Sequence, residues 1–428
     1  KYGGIVAGTA SRTFDLGLRR APAVAGPLSV RVFADPQPKS RVDVGYYGRD
    51  IVDSVLAEPA AAPGARLPPP QLGASLGDIV NDDLSLYPAL NAETRRIGVP
   101  WLHVPGNHDL DVDVARDEDS LLGFRNVYGP DTFAWEEPQA TFVGLDDVVY
   151  RPGQSPAYIG GFRDDQFAFL QAYLPRAPKD RLLVLMLHIP LFEADGKDTF
   201  RDADRARLFA LLQAFPHVLV LSGHLHTQQH WVHDASTGWH GAAPLHEYNV
   251  GAACGAFWSG AKDAAGIPDA TMADGTPNGY ASLVIEGDGR YALRWHAARA
   301  ADDAAIALHA PKVLRRGAYP AWGVYANVWM GQRGDRVEFR VDGGDWMPMR
   351  RVDAPDPGLL AENRRDDEAD ALRGYDRSPE ATPSAHLWRG ALPTDLAAGP
   401  HRLDVRAFDA WRGELHADTT YRLEEASP

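Results

Sequence analysis

The stretch Val104-Pro-Gly-Asn-His-Asp109 carries three chemically able side chains at consecutive positions. Asn107 offers an amide oxygen, His108 an imidazole and Asp109 a carboxylate, a combination suited to metal binding and proton transfer. The mostly apolar run Val99–Val104 is typical of a buried strand, which the Pro-Gly pair ends. Because ligands in open α/β sheets bind at the carboxyl ends of strands, we predict a functional loop here.

Four further apolar runs end in the same way, each followed by polar residues that can bind metals. They are the predicted strands Leu28–Phe33, Leu72–Leu76, Leu182–Leu187 and His217–Leu221, followed respectively by Asp35 with Gln37, by Asp78, by His188, and by His224 with His226. The His224-x-His226 spacing is the most informative, because alternate residues of extended backbone point the same way. A lone His or Asp at a strand end is more often a packed or turn residue. Five such ends in one chain indicate a shared site.

Helical stretches alternate with these strands, which predicts a layered α/β fold. The predicted helices are Asp50–Leu56, Leu90–Ile97, Asp164–Leu174 and Asp202–Phe215, and Tyr280–Ala297 is predicted to form a hairpin. From about residue 311 onward the strand period dominates, with Gly, Pro and Asp turns between short runs. This part is predicted to be a small all-β sandwich, in which the charged, Pro-containing stretch 353–384 forms a long loop.

At 428 residues the chain exceeds the usual size of one domain, so we expect two. The predicted organisation is a lead-in over 1–27, a first domain over 28–297, a connector over 298–310 and a C-terminal domain over 311–428. Because the chain opens on Lys1-Tyr2-Gly3-Gly4, we expect that a leader or an N-terminal domain precedes it, with the lead-in as its remnant. Export to the periplasm or outside the cell is favoured over a cytoplasmic location.

The composition excludes several classes of function. A hydrophobic content of 45% with 24% charged residues is typical of a folded globular protein. The net charge of −15 argues against broad nucleic-acid binding, although bound divalent cations would reverse the sign locally. The single cysteine, Cys254, is expected to be a small buried thiol and excludes an internal disulfide and multi-thiolate metal sites. No apolar run is long enough to span a membrane.

The order and type of the strand-end motifs resemble those of the calcineurin-like metallophosphoesterases. The matching motifs are Asp35-x-Gln37, Gly77-Asp78, Gly106-Asn107-His108-Asp109, His188 and Gly223-His224-x-His226. The resemblance implies a β-sandwich flanked by helices, with two divalent metal ions at the strand ends. The first domain also resembles a bacterial subgroup that carries an appended C-terminal domain. The stretches that match this subgroup are Gly45-Tyr46-Tyr47-Gly48-Arg49-Asp50, His246-Glu-Tyr-Asn249-Val-Gly251 and Asp274-Gly-Thr-Pro-Asn278-Gly-Tyr280.

The resemblance also implies a role for each residue. The implied ligand sets are Asp35, Gln37 and His226 for one ion, and Asn107, His188 and His224 for the other, with Asp78 bridging both. His108 would be the general acid or transition-state stabiliser, and Asp109 would orient it. Carboxylate, amide oxygen and imidazole donors suit hard or borderline ions, so Mn, Fe or Zn is expected.

The implied activity is hydrolysis of a phosphomonoester or phosphodiester by a hydroxide shared between the two ions. Consistent with this, the chain has no plausible catalytic cysteine. Gln37 departs from the family pattern, since most relatives have His there, and a weaker amide ligand favours a harder ion such as Mn²⁺. A subgroup of the family resembles this Asp-Pro-Gln version, so we expect an active site and not a degenerate one.

The motifs specify the reacting phosphoryl group but not its substituents. The acidic composition favours a small organic phosphate or a lipid-linked phosphoester as substrate. Candidate pocket residues are Tyr46, Tyr47, Asn249 and Tyr280, although core packing and a turn-forming Asn explain them equally well. The histidines that follow the motif pair match no standard metal-site spacing and are predicted to lie at the surface or rim; they are His230, His233, His240 and His246.

Two other functions also fit the sequence. A binding protein on a degenerate phosphoesterase fold would dock on a glycan or a partner protein through its Trp-rich C-terminal domain. It would need no pair of ions, so metal analysis separates it from an enzyme. A nuclease would need Lys and Arg clustered beside the motifs, and the sequence has no such cluster.

Overall fold

The computed structural model of the protein describes residues 26–58, 67–192 and 200–426. Of the predicted lead-in, residues 1–25 lie outside these ranges. The strands up to residue 297 are β1 (Leu28–Phe33), β2 (Leu72–Leu76), β3 (Trp101–Val104), β4 (Phe133–Glu136), β5 (Ala140–Gly144), β6 (Val148–Tyr150), β7 (Tyr158–Gly160), β8 (Leu182–Met186), β9 (Val218–Ser222), β10 (Gln229–His233), β11 (Leu245–Asn249), β12 (Gly279–Ile285) and β13 (Tyr291–Ala297). The strands beyond it are β14 (Ile306–His309), β15 (Val313–Arg315), β16 (Gly323–Val328), β17 (Val337–Val341), β18 (Met347–Pro348), β19 (Arg350–Arg351), β20 (Leu387–Ala391), β21 (Gly399–Asp409) and β22 (Gly413–Glu424).

The helices lie mainly in the first part of the chain. They are α1 (Arg41–Tyr47), α2 (Asp53–Leu56), α3 (Tyr87–Thr94), α4 (Leu122–Tyr128), α5 (Asp164–Tyr173), α6 (Asp202–Leu212) and α7 (Pro357–Asp367). Short 3₁₀ turns cover Leu84–Leu86, Arg95–Ile97, Asn107–Asp109, Asp117–Asp119 and Ala235–Thr237. The predicted helix Asp50–Leu56 is the end of a longer helical segment, because Ser40 caps α1 and a π-helical turn over Gly48–Val52 joins α1 to α2.

Two mixed sheets form the first part of the fold. One has the order β13-β12-β1-β2-β3, with β1, β2 and β3 parallel. The other has the order β10-β11-β9-β8-β5-β4, with β5, β8, β9 and β11 parallel. Both sheets contribute to one hydrophobic core, which explains why their parallel strands are nearly continuous apolar runs. This architecture confirms the predicted layered α/β fold and brings five strand ends to the candidate site.

The C-terminal part is rich in strands, as predicted. Its sheets have the orders β14-β16-β20-β19 and β15-β22-β21-β17-β18, and they share a second hydrophobic core. Strand β14 lies inside the predicted connector 298–310 but pairs with β16, so sheet pairing starts before residue 311. The boundaries of the domains stay a prediction.

The stretch 353–384, predicted as a loop, contains helix α7. Asp356 caps this helix by accepting hydrogen bonds from the backbone N–H groups of Gly358 and Leu359, and Pro357 occupies its first turn. The prediction of a loop was wrong because the helix is polar on most of its surface, and only its capping residues marked it. No helix in the described ranges is long and apolar enough to cross a membrane.

Candidate metal centre

Five loops bring Asp, Asn and His side chains together beyond the ends of β1, β2, β3, β8 and β9. Asp35, Asp78 and His226 offer ligand atoms that all lie within 4.8 Å of one another, and so do Asp78, His188 and His224. Asp78 belongs to both groups. All of these side chains are buried except that of His224, which is half-buried. The division into two groups is the one that the family resemblance implies.

His188 is oriented so that one ring nitrogen faces the cluster. Its Nδ1 lies 2.9 Å from the carbonyl oxygen of Leu76, which can only accept, so Nδ1 donates there and Nε2 is the nitrogen that faces the cluster. Three groups meet at this Nε2: Asn107 Oδ1 at 3.0 Å, Asp78 Oδ1 at 3.3 Å and His224 Nδ1 at 3.2 Å. Imidazole, amide and carboxylate donors thus converge at one point, as a divalent ion requires.

The other group is built around Asp35. His226 Nε2 lies 3.5 Å from Asp35 Oδ1, and the carboxylate of Asp35 also accepts the backbone N–H of His224 at 3.1 and 3.2 Å. The backbone of the loop after β9 is therefore fixed by Asp35, a predicted ligand on the loop after β1. This contact aligns the two histidines with the carboxylate.

Gln37 lies in the cluster but turns its amide nitrogen towards it. Nε2 donates to Asp78 Oδ2 at 3.2 Å, and Oε1 lies 3.8 Å from the Sγ of Cys254. An amide that binds a metal does so through its oxygen, so Gln37 must rotate its amide group by half a turn to serve as a ligand. Cys254 is buried, as expected, and also lies 3.8 Å from Nδ1 of His226.

Most of the predicted ligands have strained backbone. Positive φ angles occur at Asp35 (47°), Gln37 (40°), Asp78 (46°), His224 (73°) and His226 (50°). Residues with a side chain hold such angles at a cost of about 1–3 kcal/mol each, and strain of this kind concentrates at functional sites. The hydrogen bonds described above hold the loops in these backbone conformations.

Glycines make room for the ligands that follow them. A Cβ on Gly77 would lie 2.4 Å from Nδ1 of His188, and one on Gly106 would lie 2.2 Å from Oδ1 of Asp78. Gly77 also has a φ of 82°, which side chains rarely adopt. The Gly-Asp and Gly-Asn pairs of the sequence are therefore needed for close approach of the loops.

The electrostatics of the cluster favour positive charge between the carboxylates. Burial raises the pKa of Asp78, but the charge of His188 and a hydrogen bond from it outweigh this effect and lower the pKa overall. Burial likewise lowers the pKa of His188, and Asp78 raises it above its usual range. Burial and the charge of His188 lower the pKa of His224 to about 3, so this imidazole is neutral and able to coordinate an ion.

His108 is half-buried at the rim of the cluster, and its partner is not the one predicted. Its backbone N–H donates to Asp78 Oδ1 at 2.8 Å, and its Nδ1 lies 2.7 Å from Oδ1 of Asp82. Asp109 was expected to orient His108, but its carboxylate is buried and accepts from backbone N–H groups and from Tyr87 Oη at 2.9 Å. The 3₁₀ turn over Asn107–Asp109 points the Asp109 side chain inward, where it holds the loops that follow β2 and β3 together. Asp82, and not Asp109, contacts the imidazole of His108.

Asp147, which follows β5, was not among the predicted site residues. Its carboxylate accepts the backbone N–H groups of His188 and Ile189 at 3.1 and 3.0 Å, so it fixes the loop that presents His188. Phe257 was likewise not predicted, and its ring centroid lies 4.8 Å from that of His226. The acidic pair after β5 was visible in the sequence, whereas Phe257 gave no local signal.

The predicted pocket residues separate into different roles. Tyr47 is buried with its hydroxyl 2.8 Å from Thr94 Oγ1, and Tyr280 is buried and donates to Glu58 at 2.7 Å. Tyr47 is packed in the interior, so the prediction that it lines a substrate pocket was wrong. Tyr280 borders a cavity of about 290 Å³ with Glu58 and Arg299, and none of the predicted metal ligands lines that cavity. Tyr46 lines a cavity of about 400 Å³ with Trp258 and Tyr375.

Asn249 and the other histidines lie beside the cluster without joining it. Asn249 Nδ2 donates to the carbonyl of Thr227 at 2.8 Å, so it supports the loop after His226. His230 and His246 are half-buried and hydrogen-bonded to each other at 2.9 Å. His233 is buried against Glu247, contrary to the expected surface position, because β10 turns it towards the core; His240 is exposed, as predicted.

Two family models match this chain. The family model described as calcineurin-like phosphoesterase matches residues 64–228, and the model described as the C terminal of calcineurin-like phosphoesterase matches residues 247–414. The first match includes five of the seven predicted ligands, while Asp35 and Gln37 precede it. No curated protein matches the chain.

Among solved structures, a purple acid phosphatase from yellow lupin (Lupinus luteus) seeds is similar, with a TM-score of 0.44 and 13% identity. The match covers 65% of this chain and 52% of the lupin protein, so the chain spans about half the length of that protein. The two family models together cover most of the chain in adjacent segments. The protein therefore belongs to the calcineurin-like phosphoesterases and carries their C-terminal region.

Proposed function

We propose that the protein is a dinuclear metallophosphoesterase that hydrolyses a phosphomonoester or phosphodiester. The observation that carries the proposal is the position of Asp78 in both groups of ligand atoms. The residues that would hold the ions are Asp35, Gln37 and His226 for one, Asn107, His188 and His224 for the other, and Asp78 for both. The donors are those that Mn²⁺, Fe or Zn²⁺ accept, and no structural disulfide or thiolate cluster competes with them.

When bound, a pair of divalent ions neutralises the phosphoryl group and makes water a usable nucleophile near neutral pH. The side chain of His108 is 30% exposed at the rim, where it can reach a substrate. Its Nδ1 is held by Asp82, which leaves Nε2 to donate a proton to the departing oxygen. Asp109 is proposed to keep the loops of Asp78 and His108 in register through the backbone.

A small organic or lipid-linked phosphoester is the proposed substrate class. Phe257 is 44% exposed beside His226, and the ammonium group of Lys39 lies 5.0 Å from the centre of its ring. The apolar ring next to the candidate ligands suits the organic part of a small phosphoester, and the ammonium group suits its negative charge. The net charge of −15 would repel long polyanions such as DNA.

Metal analysis together with an activity panel tests this function. We expect purified protein to contain two equivalents of Mn, Fe or Zn per chain and to hydrolyse aryl or alkyl phosphates at least tenfold faster than duplex DNA. Elemental analysis and phosphate release measure the two quantities. Fewer than two ions per chain, with inactivity towards mono- and diesters after loading with each metal, would show a binding protein on the same fold.

We further propose that the C-terminal domain contacts an acidic glycan. A groove of about 930 Å³ lies between α7 and the outer face of the sheet that contains β14, β16 and β20. Trp322 and Tyr325 provide flat apolar surface, Lys312 and Arg389 provide positive charge, and no carboxylate among the described residues lines the groove. Aromatic faces suit sugar rings, and the cations suit uronate groups.

We expect Trp322→Ala to abolish the retardation of the protein in native gels that contain an acidic polysaccharide such as polygalacturonate. The Trp322 side chain is 59% exposed, so its loss removes contact surface without unfolding the domain. Val232→Ala, at a residue 58% exposed on β10, is the matched control and should be retarded like the wild type. Equal retardation of both variants would contradict the glycan site.

A further inference from the structure

A buried contact joins the C-terminal domain to the loop before β12. His386, immediately before β20, places Nε2 at 3.1 Å from Asp274 Oδ2, and both side chains are almost fully buried. On the other side of the ring, Nδ1 lies 2.7 Å from Oδ1 of Asn327. The contact therefore links residues that are 112 positions apart in the chain.

The hydrogen-bond directions in this contact are determined by Asn327. Its Nδ2 donates to the carbonyl oxygen of Asp274 at 2.9 Å and to Asp356 Oδ2 at 3.0 Å, so its Oδ1 must accept. Both ring nitrogens of His386 then face acceptors, and Nε2 donates to Asp274. A charge-assisted hydrogen bond in a buried setting is strong and directional.

Asp274 passes this constraint on to the candidate metal centre. Oδ2 accepts the backbone N–H of Gln228 at 2.8 Å, and Oδ1 accepts that of Thr276 at 2.8 Å. Gln228 lies two residues after His226 and directly precedes β10. Asp274 thus fixes the point at which the loop that carries both ligand histidines rejoins the sheet.

The side chain of Gln228 is held by Tyr248 of β11. Its Oε1 accepts the hydroxyl of Tyr248 at 2.6 Å, and the same hydroxyl lies 3.3 Å from Sδ of Met330. Met330 follows β16 in the C-terminal part of the chain, and its side chain packs in the first hydrophobic core. Both the backbone and the side chain of Gln228 therefore depend on groups that the C-terminal domain contacts.

We infer that the C-terminal domain positions the His224–His226 loop for metal binding, with His386 and Asp274 as positioning residues. The inference rests on the proposed dinuclear site. Both histidines have positive φ, a conformation that persists only when surrounding contacts enforce it. Without the hydrogen bond from His386, the Asp274 carboxylate is less restrained in the position where it accepts the backbone N–H of Gln228. The His224–His226 loop can then move away from the geometry that binds a metal.

The test is Mn²⁺ binding to full-length protein treated with chelator and measured by calorimetry, with hydrogen–deuterium exchange of the peptide around 224–232. We expect His386→Ala to weaken the binding of Mn²⁺ by about tenfold or more, as loss of an outer support does in metal sites, and to speed exchange in that peptide. Circular dichroism confirms that the variant is folded. If it does not fold, Asp274→Asn, which keeps the side-chain shape, is expected to change both quantities in the same direction.

His401→Ala is the matched control. His401 is also a buried histidine of the C-terminal domain paired with an aspartate, Asp342 at 2.6 Å, but it lies on β21 and contacts neither Asp274 nor Gln228. It should lower thermal stability and leave Mn²⁺ affinity within twofold of the wild type. Equal Mn²⁺ affinity of wild type, His386→Ala and Asp274→Asn would overturn the inference, whereas a wild type that binds no metal at all would overturn the proposed function.

Discussion

Replacing Asp78 by Asn is expected to release both metal ions from the protein. Asp78 is the one residue present in both groups of ligand atoms, so its carboxylate serves each ion. An attraction between unit charges about 4 Å apart amounts to about 4 kcal/mol at an effective dielectric constant near 20, and its loss corresponds to about a thousandfold in affinity. Elemental analysis after dialysis should find less than 0.2 equivalents of metal per chain, on the order expected from that loss.

Asp83→Asn is the control for this prediction. It removes the same charge five residues later, from an exposed side chain that caps a 3₁₀ turn by accepting the N–H of Ser85. This variant should keep both ions and full phosphate release. If Asp78→Asn instead retains one tightly bound ion, the carboxylate does not bridge, and the two ions would have separate ligand sets.

The sequence predicted the candidate ligand loops because most of them follow a strand that is buried on both faces; β3, with half-buried Trp101 and His103, is the exception. Such strands are recognisable as apolar runs, and parallel strands bring their carboxyl ends to one edge. The side chains of Asp35, Asp78 and His188 therefore meet although they come from distant parts of the chain. The glycines before Asp78 and Asn107 are also part of this local pattern, because each loop approaches its neighbour too closely for a side chain at that position.

Contacts that depend on the path of a loop could not be predicted in this way. Asp109 is adjacent to His108 in sequence, but a 3₁₀ turn separates their directions, and the more distant Asp82 contacts the imidazole. The contact between His386 and Asp274 has no local signal at all, because a single His and a single Asp are individually unremarkable. Sequence patterns specify which strands carry ligands, while tertiary packing decides which polar side chain supports each of them.

Replacing His108 by Ala is expected to lower turnover by about 10²–10⁴-fold while leaving both ions bound. His108 touches the cluster only through its backbone N–H, which Ala retains, so the hydrogen bond to Asp78 Oδ1 survives the change. The lost imidazole is the group proposed to protonate the departing oxygen. Initial rates of phosphate release and metal content, measured on the same preparation, check the two halves of this prediction.

The chemistry of the leaving group separates proton donation from charge stabilisation by His108. A nitrophenolate departs without a proton, whereas a simple alkoxide does not, so His108→Ala should slow an alkyl phosphate at least tenfold more than 4-nitrophenyl phosphate. His240→Ala, at an exposed histidine, should change neither rate. Equal slowing of both esters would show that His108 stabilises charge in the transition state, and loss of metal would show that the imidazole also supports the ligands. The turnover of Asp82→Asn should lie between those of wild type and His108→Ala, because this variant removes only the partner that orients Nδ1 of His108.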